Sequence, residues 1–223
     1  MMFSRFSSAV LVSASLLALT ACQSEIDNKP AAEVLDPAAQ GAAPDGSTTP
    51  NEGGPLVTVP VIKEASSIGF IGAKVTRDHV GEFKNFDGSI EYAGQQPNRI
   101  IFEIEPGSAV TDTTKLDAHL RSADFFDVEN HPKATFTSQN IREEIGVDGT
   151  THRIDGVLNL RGTDRTISFP VKVEKLPDGV RATSEFTINR KDWNVSYPGA
   201  ADDLIKDEVL IRLDLRFPPP PSV

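Results

Sequence analysis

The chain has 223 residues, a single cysteine and a formal net charge of −10, from 22 Lys and Arg against 32 Asp and Glu. One cysteine cannot form an intrachain disulfide or a cysteine-based zinc site. An acidic chain also lacks the basic surface that nucleic-acid phosphates demand, so no nucleic acid is expected as a partner.

Residues 1–21 read as an export signal. Arg5 is the positive charge of a short start, and residues 9–19 are an apolar run too short to span a bilayer as a helix. The run ends in Leu19-Thr20-Ala21-Cys22. This resembles the bacterial lipobox, where small residues precede the cut and a thiol takes a diacylglycerol thioether; the freed amine then takes a further fatty acid such as palmitate. The resemblance implies that Cys22 is lipidated, and two or more acyl chains make membrane attachment lasting. Gln23, not Asp, follows the cysteine. By the sorting rule of some Gram-negative lipoproteins, that implies the outer membrane, facing the periplasm.

Residues 22–56 are expected to be a disordered, acidic tether rich in Ala, Pro and Gly. From 23 to 56 there are six Ala, five Pro, four Gly, no aromatic residue, and six acidic residues against Lys29. Such a segment offers little apolar area to offset its ordering entropy. The folded domain is then 57–217, followed by a polyproline tail at 218–223.

Within 57–217 the residues alternate with a period of two, the signature of strands with one buried face. Ile100, Phe102 and Ile104 form one such set, and Ile154, Gly156, Leu158 and Leu160 another. Further sets are Ile167, Phe169, Val171 and Val173, then Ala182, Ser184, Phe186 and Ile188, then Val209, Ile211, Leu213, Leu215 and Phe217. Segments 66–76, 82–92 and 134–144 are weaker strands. The expected fold is all-β: an eight-stranded antiparallel sandwich or closed barrel. One or two short helices are expected over 113–126, between strands C (100–104) and D (134–144). Thr114-x-x-Asp117 suggests a capped start there, and Leu116, Leu120 and Ala123 follow on one face. Such a helix could cap one barrel end.

Several motifs resemble the YceI-like family, secreted bacterial proteins described as polyisoprenoid-binding. They are Gly81-Glu82-Phe83-Lys84-Asn85-Phe86-Asp87-Gly88, then Leu120-Arg121-Ser122-Ala123-Asp124-Phe125-Phe126-Asp127 with His131-Pro132 and Phe136, then Leu158-Asn159-Leu160-Arg161-Gly162, and Ile188-Asn189-Arg190-Lys191-Asp192-Trp193. Asn194 stands where the family usually has glycine. The resemblance implies a lipocalin-like barrel whose apolar interior takes an isoprenoid or other amphiphilic tail. The inward positions expected to touch it are Phe70, Phe86, Ile100, Phe102, Ile104, Phe136, Leu158, Leu160, Phe169, Val171, Phe186, Ile188, Val209, Ile211 and Leu213. Alternation alone does not distinguish a hollow barrel from one filled by its own side chains.

Polar chemistry is sparse. His79, His119, His131 and His152 show no metal-ligand spacing, and there is neither HExxH nor GxSxG. Asp112, Asp117, Asp124 and Asp127 lack the EF-hand spacing. No catalytic residue, metal or cofactor other than a bound lipid is expected. Arg121, Arg161 and Arg190 are candidates to hold a pyrophosphate or phenolic head group at a barrel mouth. The alternative is an ion pair with Asp124 or Asp192. Trp193 is expected to cover a barrel end. The expected function is a non-catalytic envelope lipoprotein carrying or buffering an isoprenoid, quinone or similar amphiphile. The alternatives are a packed structural barrel and a small enzyme acting on an amphiphile.

Overall fold

A computed structural model describes residues 24–35 and 56–221 except 75, 147 and 202. Residues 1–21, Cys22 and Gln23 lie outside the described residues, as does 36–55 of the expected tether.

The chain is built from antiparallel strands. They are β1 (Glu33–Leu35), β2 (Leu56–Pro60), β3 (Ser67–Lys74), β4 (Asp78–Phe83), β5 (Phe86–Ala93), β6 (Gln96–Ile104), β7 (Ala109–Thr111), β8 (Ala134–Glu143), β9 (His152–Leu160), β10 (Thr163–Leu176), β11 (Gly179–Asn189), β12 (Gly199–Ala200) and β13 (Asp203–Phe217). The one α-helix among the described residues, α1, spans Thr114–Arg121. Strands pair in the order β2-β5-β6-β8-β9-β10-β11-β13-β3-β4-β7, with β1 and β12 off this path. The expectation of eight strands is therefore corrected to eleven on the path. The eight expected segments are β3, β5, β6, β8, β9, β10, β11 and β13; β2, β4 and β7 add to them. These three are short, and short strands carry too few alternations to stand out.

The sheet curls until its two flanks face each other. Two stretches make the corners. β10 pairs with β9 from Thr163 to Val171 and with β11 from Lys172 to Leu176, so one long strand belongs to both flanks. On the other side the chain passes from β2, paired to β5, into β3, paired to β13. Between them Val61 N–H donates to Gly88 O at 2.8 Å and Ile62 N–H to Arg216 O at 2.8 Å, which ties the bend to both flanks. Inward residues of the two flanks form the main core.

Pro170 decides where β10 leaves β11. It has no N–H, and its carbonyl faces β11, where it accepts a bond from Ser184 Oγ at 2.5 Å. The β10–β11 ladder stops at Lys172↔Thr183, and a seam opens between the two strands.

The tether expectation fails for residues 24–35. Ser24 caps a 3₁₀ turn over Glu25–Asn28 in a reciprocal capping box with Asp27, and Ile26 is buried against Ile71, Ala73 and Leu210. β1 then pairs with β10, Val34 opposite Ile167. The composition argument counts apolar area, and this segment is held chiefly by sheet-edge hydrogen bonds and ion pairs that composition does not register.

The helix is shorter than expected. α1 ends at Arg121, and 122–130 form turns closed by Asp127 N–H to Ser122 O and His131 N–H to Asp127 O. The Asp117 carboxylate does not cap α1. It accepts from Thr111 N–H at 2.6 Å and Thr111 Oγ1 at 2.7 Å, which fastens the helix to β7. Asn194 occupies the left-handed region, φ 61°, ψ 19°. Glycine enters that region freely and Asn next best, so the departure from the family's glycine keeps the backbone.

Candidate functional site

The lumen between the two flanks holds two cavities, of about 200 and 120 Å³. The larger lies at the α1 end. β3 contributes Phe70 to it, β6 Ile104, β9 Leu158 and Leu160, β11 Phe186 and Ile188, and β13 Val209 and Ile211. Leu120 of α1 and Phe125 and Phe126 of the following turn close that end. The smaller cavity is lined by Ile100 and Val171, with Tyr92, His152, Thr183 and Ser184 as its polar residues. Phe102, Phe136, Phe169, Leu213 and Leu215 touch both cavities and form a waist between them. At the waist Phe169 stacks on Phe186 with centroids 4.3 Å apart and meets Phe136 at 5.5 Å. Two partial cavities on either side of a shared aromatic waist thus stand between the hollow and the filled barrel that the alternation left open.

Fourteen of the fifteen expected inward residues line one cavity or the other; Phe86 does not, and sits in the core cluster instead. The site residues expected from the sequence did not include Tyr92 and His152, which lie near the ends of β5 and β9 where the alternation is weakest, nor Thr183 and Ser184 in the middle of β11, although Ser184 belongs to an alternating inward set.

Three glycines make room for aromatic rings that line the lumen. A Cβ on Gly81 would lie 2.2 Å from the ring of Phe70, one on Gly88 2.2 Å from that of Phe102, and one on Gly156 2.5 Å from that of Phe136. Each ring therefore packs against bare backbone of a neighbouring strand, in space that a side chain there would take. An isolated glycine inside a strand pattern is the signal for such a close approach.

The two cavities differ in chemistry. The wall of the larger is carbon throughout. Arg190 contributes only its stem. Its guanidinium turns away, with Nε donating to Lys206 O at 3.0 Å, NH1 to Val195 O at 2.6 Å, and NH2 reaching Asp207 Oδ1 at 3.3 Å. Burial pulls its pKa down and Asp207 opposes that. Arg121 donates to Gly107 O at 2.8 Å and Ala109 O at 3.3 Å, and Arg161 to Ala123 O at 2.6 Å and to Asn194 O. Neither lines a cavity. All three arginines fasten the loops at the α1 end through backbone carbonyls, and the expected partners Asp124 and Asp192 are not used. Asp124 pairs with His119 Nε2 at 2.9 Å.

In the smaller cavity, Tyr92 is 4% exposed, and among the described residues its hydroxyl has no hydrogen-bond partner, though that oxygen is not wholly sealed from solvent. Burial pushes its pKa up, so it stays a protonated donor. His152 Nδ1 contacts Thr151 Oγ1 at 2.8 Å.

The other expected polar groups are engaged elsewhere. His79 is buried, with Nδ1 2.8 Å from Asp112 and Nε2 accepting from Arg77 at 3.2 Å. This hydrogen bond from His79 holds the Asp112 pKa down. His131 lies 3.9 Å from Asp127. No group of three His, Cys, Asp or Glu able to hold a metal occurs among the described residues. Trp193 is fully buried at the end of β11 and donates from Nε1 to Leu158 O at 3.0 Å.

A curled antiparallel sheet wrapped around an apolar, two-chambered lumen defines the class: a β protein built around an internal cavity. The chain belongs to the YceI-like family, whose domain pattern matches residues 60–217. It is 34% identical over 123 residues to Protein YceI of Escherichia coli O6:H1, covering 52% of this chain and 62% of that protein. A UPF0312 protein of Pectobacterium atrosepticum is 33% identical over 124 residues, with the same shares. The chain thus spans about three fifths of the length of these relatives. In fold it is similar to BcnA of Burkholderia cenocepacia, with a TM-score of 0.61 and 22% identity over 70% of this chain and 98% of that one. It is also similar to a polyisoprenoid-binding domain from Saccharophagus degradans implicated in plant cell wall breakdown, with a TM-score of 0.59 and 17% identity over 74% of this chain and all of that one.

Proposed function

We propose that this chain is a non-catalytic envelope lipoprotein that binds a long-chain amphiphile, an isoprenoid or a quinone, and carries or buffers it. Lipidated Cys22 anchors it to a membrane, the outer membrane facing the periplasm. The observation that carries the binding reading is the all-carbon wall of the larger cavity. A solved relative in fold that is described as polyisoprenoid-binding supports it. An apolar cavity of this size stays dry and accepts apolar guests. Each buried CH₂ contributes about 0.8 kcal/mol, so one isoprene unit gains roughly 3 kcal/mol before the tail's ordering entropy is subtracted.

The head group goes to the smaller cavity, beside the unpartnered Tyr92 hydroxyl. It is a neutral, oxygen-bearing head and not a pyrophosphate. The cationic guanidinium that touches the lumen faces away from it, and an ionised head buried without a partner is too costly to hold.

Organic extraction of the full chain purified from a bacterial envelope, followed by mass spectrometry, tests this. A long-chain neutral lipid is expected in stoichiometric amount. Lipid-free extracts from repeated preparations, with no uptake of added isoprenol or quinone, would overturn the reading.

A further inference from the structure

The seam that Pro170 opens between β10 and β11 is filled by the chain's own N-terminal segment. On one side β1 pairs antiparallel with β10, Glu33 opposite Ser168 and Leu35 opposite Thr166. On the other side Ala31 bridges Thr187 of β11 in parallel. There Ala32 N–H donates to Thr187 O at 2.8 Å and Thr187 N–H to Pro30 O at 2.9 Å. Residues 30–35 therefore act as a strand inserted into the wall. The wall residues flanking them, Ile167 and Phe169 on β10 and Phe186 and Ile188 on β11, all line the larger cavity. Ala32 packs on the main core.

This inserted strand does not itself line that cavity, and it is weakly fastened to the sheet that does. Its side chains at the seam are small: Pro30, Ala31 and Ala32. Its ion pairs are partly exposed: Lys29 to Glu185, Asp27 to Lys206 at 2.6 Å, and Glu25 to Arg212 at 2.9 Å. Such pairs hold little. By contrast the α1 end is clamped by Arg121, Arg161 and the buried Asp117, and by the aromatic cluster of Phe125, Tyr197 and His119. The neighbouring strands of the wall are joined by ladders of up to ten residue pairs, as between β11 and β13. Withdrawal of 30–35 would leave Ile26 in its separate apolar niche, so the segment stays tethered while the seam is open.

We infer that the β10–β11 seam is the side entrance through which an apolar chain reaches the lumen, and that residues 30–35 are its removable strand. The inference rests on the binding reading above. A chain entering sideways slides between Phe169 and Phe186 without displacing the clamped α1 cap. It also reaches the waist directly, because Phe169 belongs to both the seam and the waist.

The test is stopped-flow uptake and release of a dansyl-labelled isoprenol by the full chain, read by energy transfer from Trp193. Ala32→Pro removes the donor to Thr187 O, and is expected to speed both uptake and release about tenfold while the affinity shifts less than about threefold. Leu35→Cys with Thr166→Cys, cross-linked across the β1–β10 pair, is expected to slow both at least about tenfold, with the native rates restored by reductant. If Ala32→Pro does not fold, as circular dichroism would show, the cross-linked pair decides alone. Rates unchanged between the oxidised and reduced pair would overturn the side entrance and leave the binding reading standing. No uptake by the native chain would overturn both.

Discussion

The two chambers of the lumen are made of the same strands but not of the same atoms. The larger, at the α1 end, presents carbon only; the smaller presents Tyr92, His152, Thr183 and Ser184. Part of the difference follows from where strands begin and end: Tyr92 and His152 lie near the ends of β5 and β9, whereas Thr183 and Ser184 sit midway along β11. The middle of a long strand such as β13 can keep its alternation, and Val209, Ile211 and Leu213 all face the same lumen. Near strand ends the alternation gives way to residues that serve turns and register. Shape and chemistry thus separate along the axis: in the function proposed above, the carbon chamber would take the tail and the mixed chamber what the tail carries.

Breaking the waist should have the largest effect on this contrast. Phe169 is buried, stacked on Phe186 and shared by both chambers. Phe169→Ala is expected to cost about 3–5 kcal/mol in urea denaturation, since it removes a large buried ring and leaves a cavity. It also merges the two chambers. The variant should then take up branched or bulkier chains that the native protein excludes. Phe169→Leu, which keeps more volume, should cost less and widen selectivity less.

Next comes Gly88→Ala. The added methyl would stand 2.2 Å from the Phe102 ring, so the ring must lift off the wall and into the waist. Overpacking of this kind costs about 1–3 kcal/mol, and tail binding should weaken although no lining side chain was removed. Pairing it with Phe102→Leu should restore both stability and binding. Failure of that rescue would show that the glycine matters for some reason other than the ring above it.

These positions also mark what was readable in the sequence. The alternation of Ile100, Phe102 and Ile104, or of Phe186 and Ile188, identified the lumen wall because period-two burial is a local property. The glycines under the rings look in the sequence like ordinary strand weak points, because ring and glycine come from different strands. The arginines were legible as important, with their role left open between a head group and a structural pairing: a guanidinium beside apolar residues looks the same whether it faces a ligand or a backbone carbonyl. The segment 24–35 was the largest miss. Its Pro30-Ala31-Ala32 has no hydrophobic pattern, and its place is set by a proline far along the chain, Pro170, which frees the sheet edge it fills. The one local signal was the Ser24-Glu25-Ile26-Asp27 capping box.

A smaller effect would sharpen the chemical contrast. Tyr92→Phe keeps the ring and removes its hydroxyl from the smaller chamber. It should weaken binding of an oxygen-headed amphiphile by about 1 kcal/mol, roughly fivefold, the net worth of one hydrogen bond. Binding of a pure hydrocarbon of the same length, read in the same titration, should not change. Equal loss for both would place the head group elsewhere.

The smallest effects are in pH, and they separate lumen from surface. Asp112 and Asp214 have folded pKa values held down, by hydrogen bonds from His79 and Arg181 respectively. A depressed carboxylate stabilises the fold above its unfolded pKa of about 3.9, and that stability is lost as pH falls through the folded value. Tyr92 has the opposite sign. Burial raises its folded pKa, so its contribution is complete below the unfolded phenol value of about 10 and is lost as pH rises through the folded one. Melting temperature plotted against pH should therefore hold level in between and fall at both edges. Asp112→Asn should soften only the acid edge, and only slightly, because the Asp112 side chain is 42% exposed and solvent screens its pairing. Tyr92→Phe should remove the part of the alkaline loss that comes from ionising a buried phenol. An alkaline edge unmoved in that variant would mean the Tyr92 hydroxyl already reaches water, and the small chamber would then open to solvent at that residue.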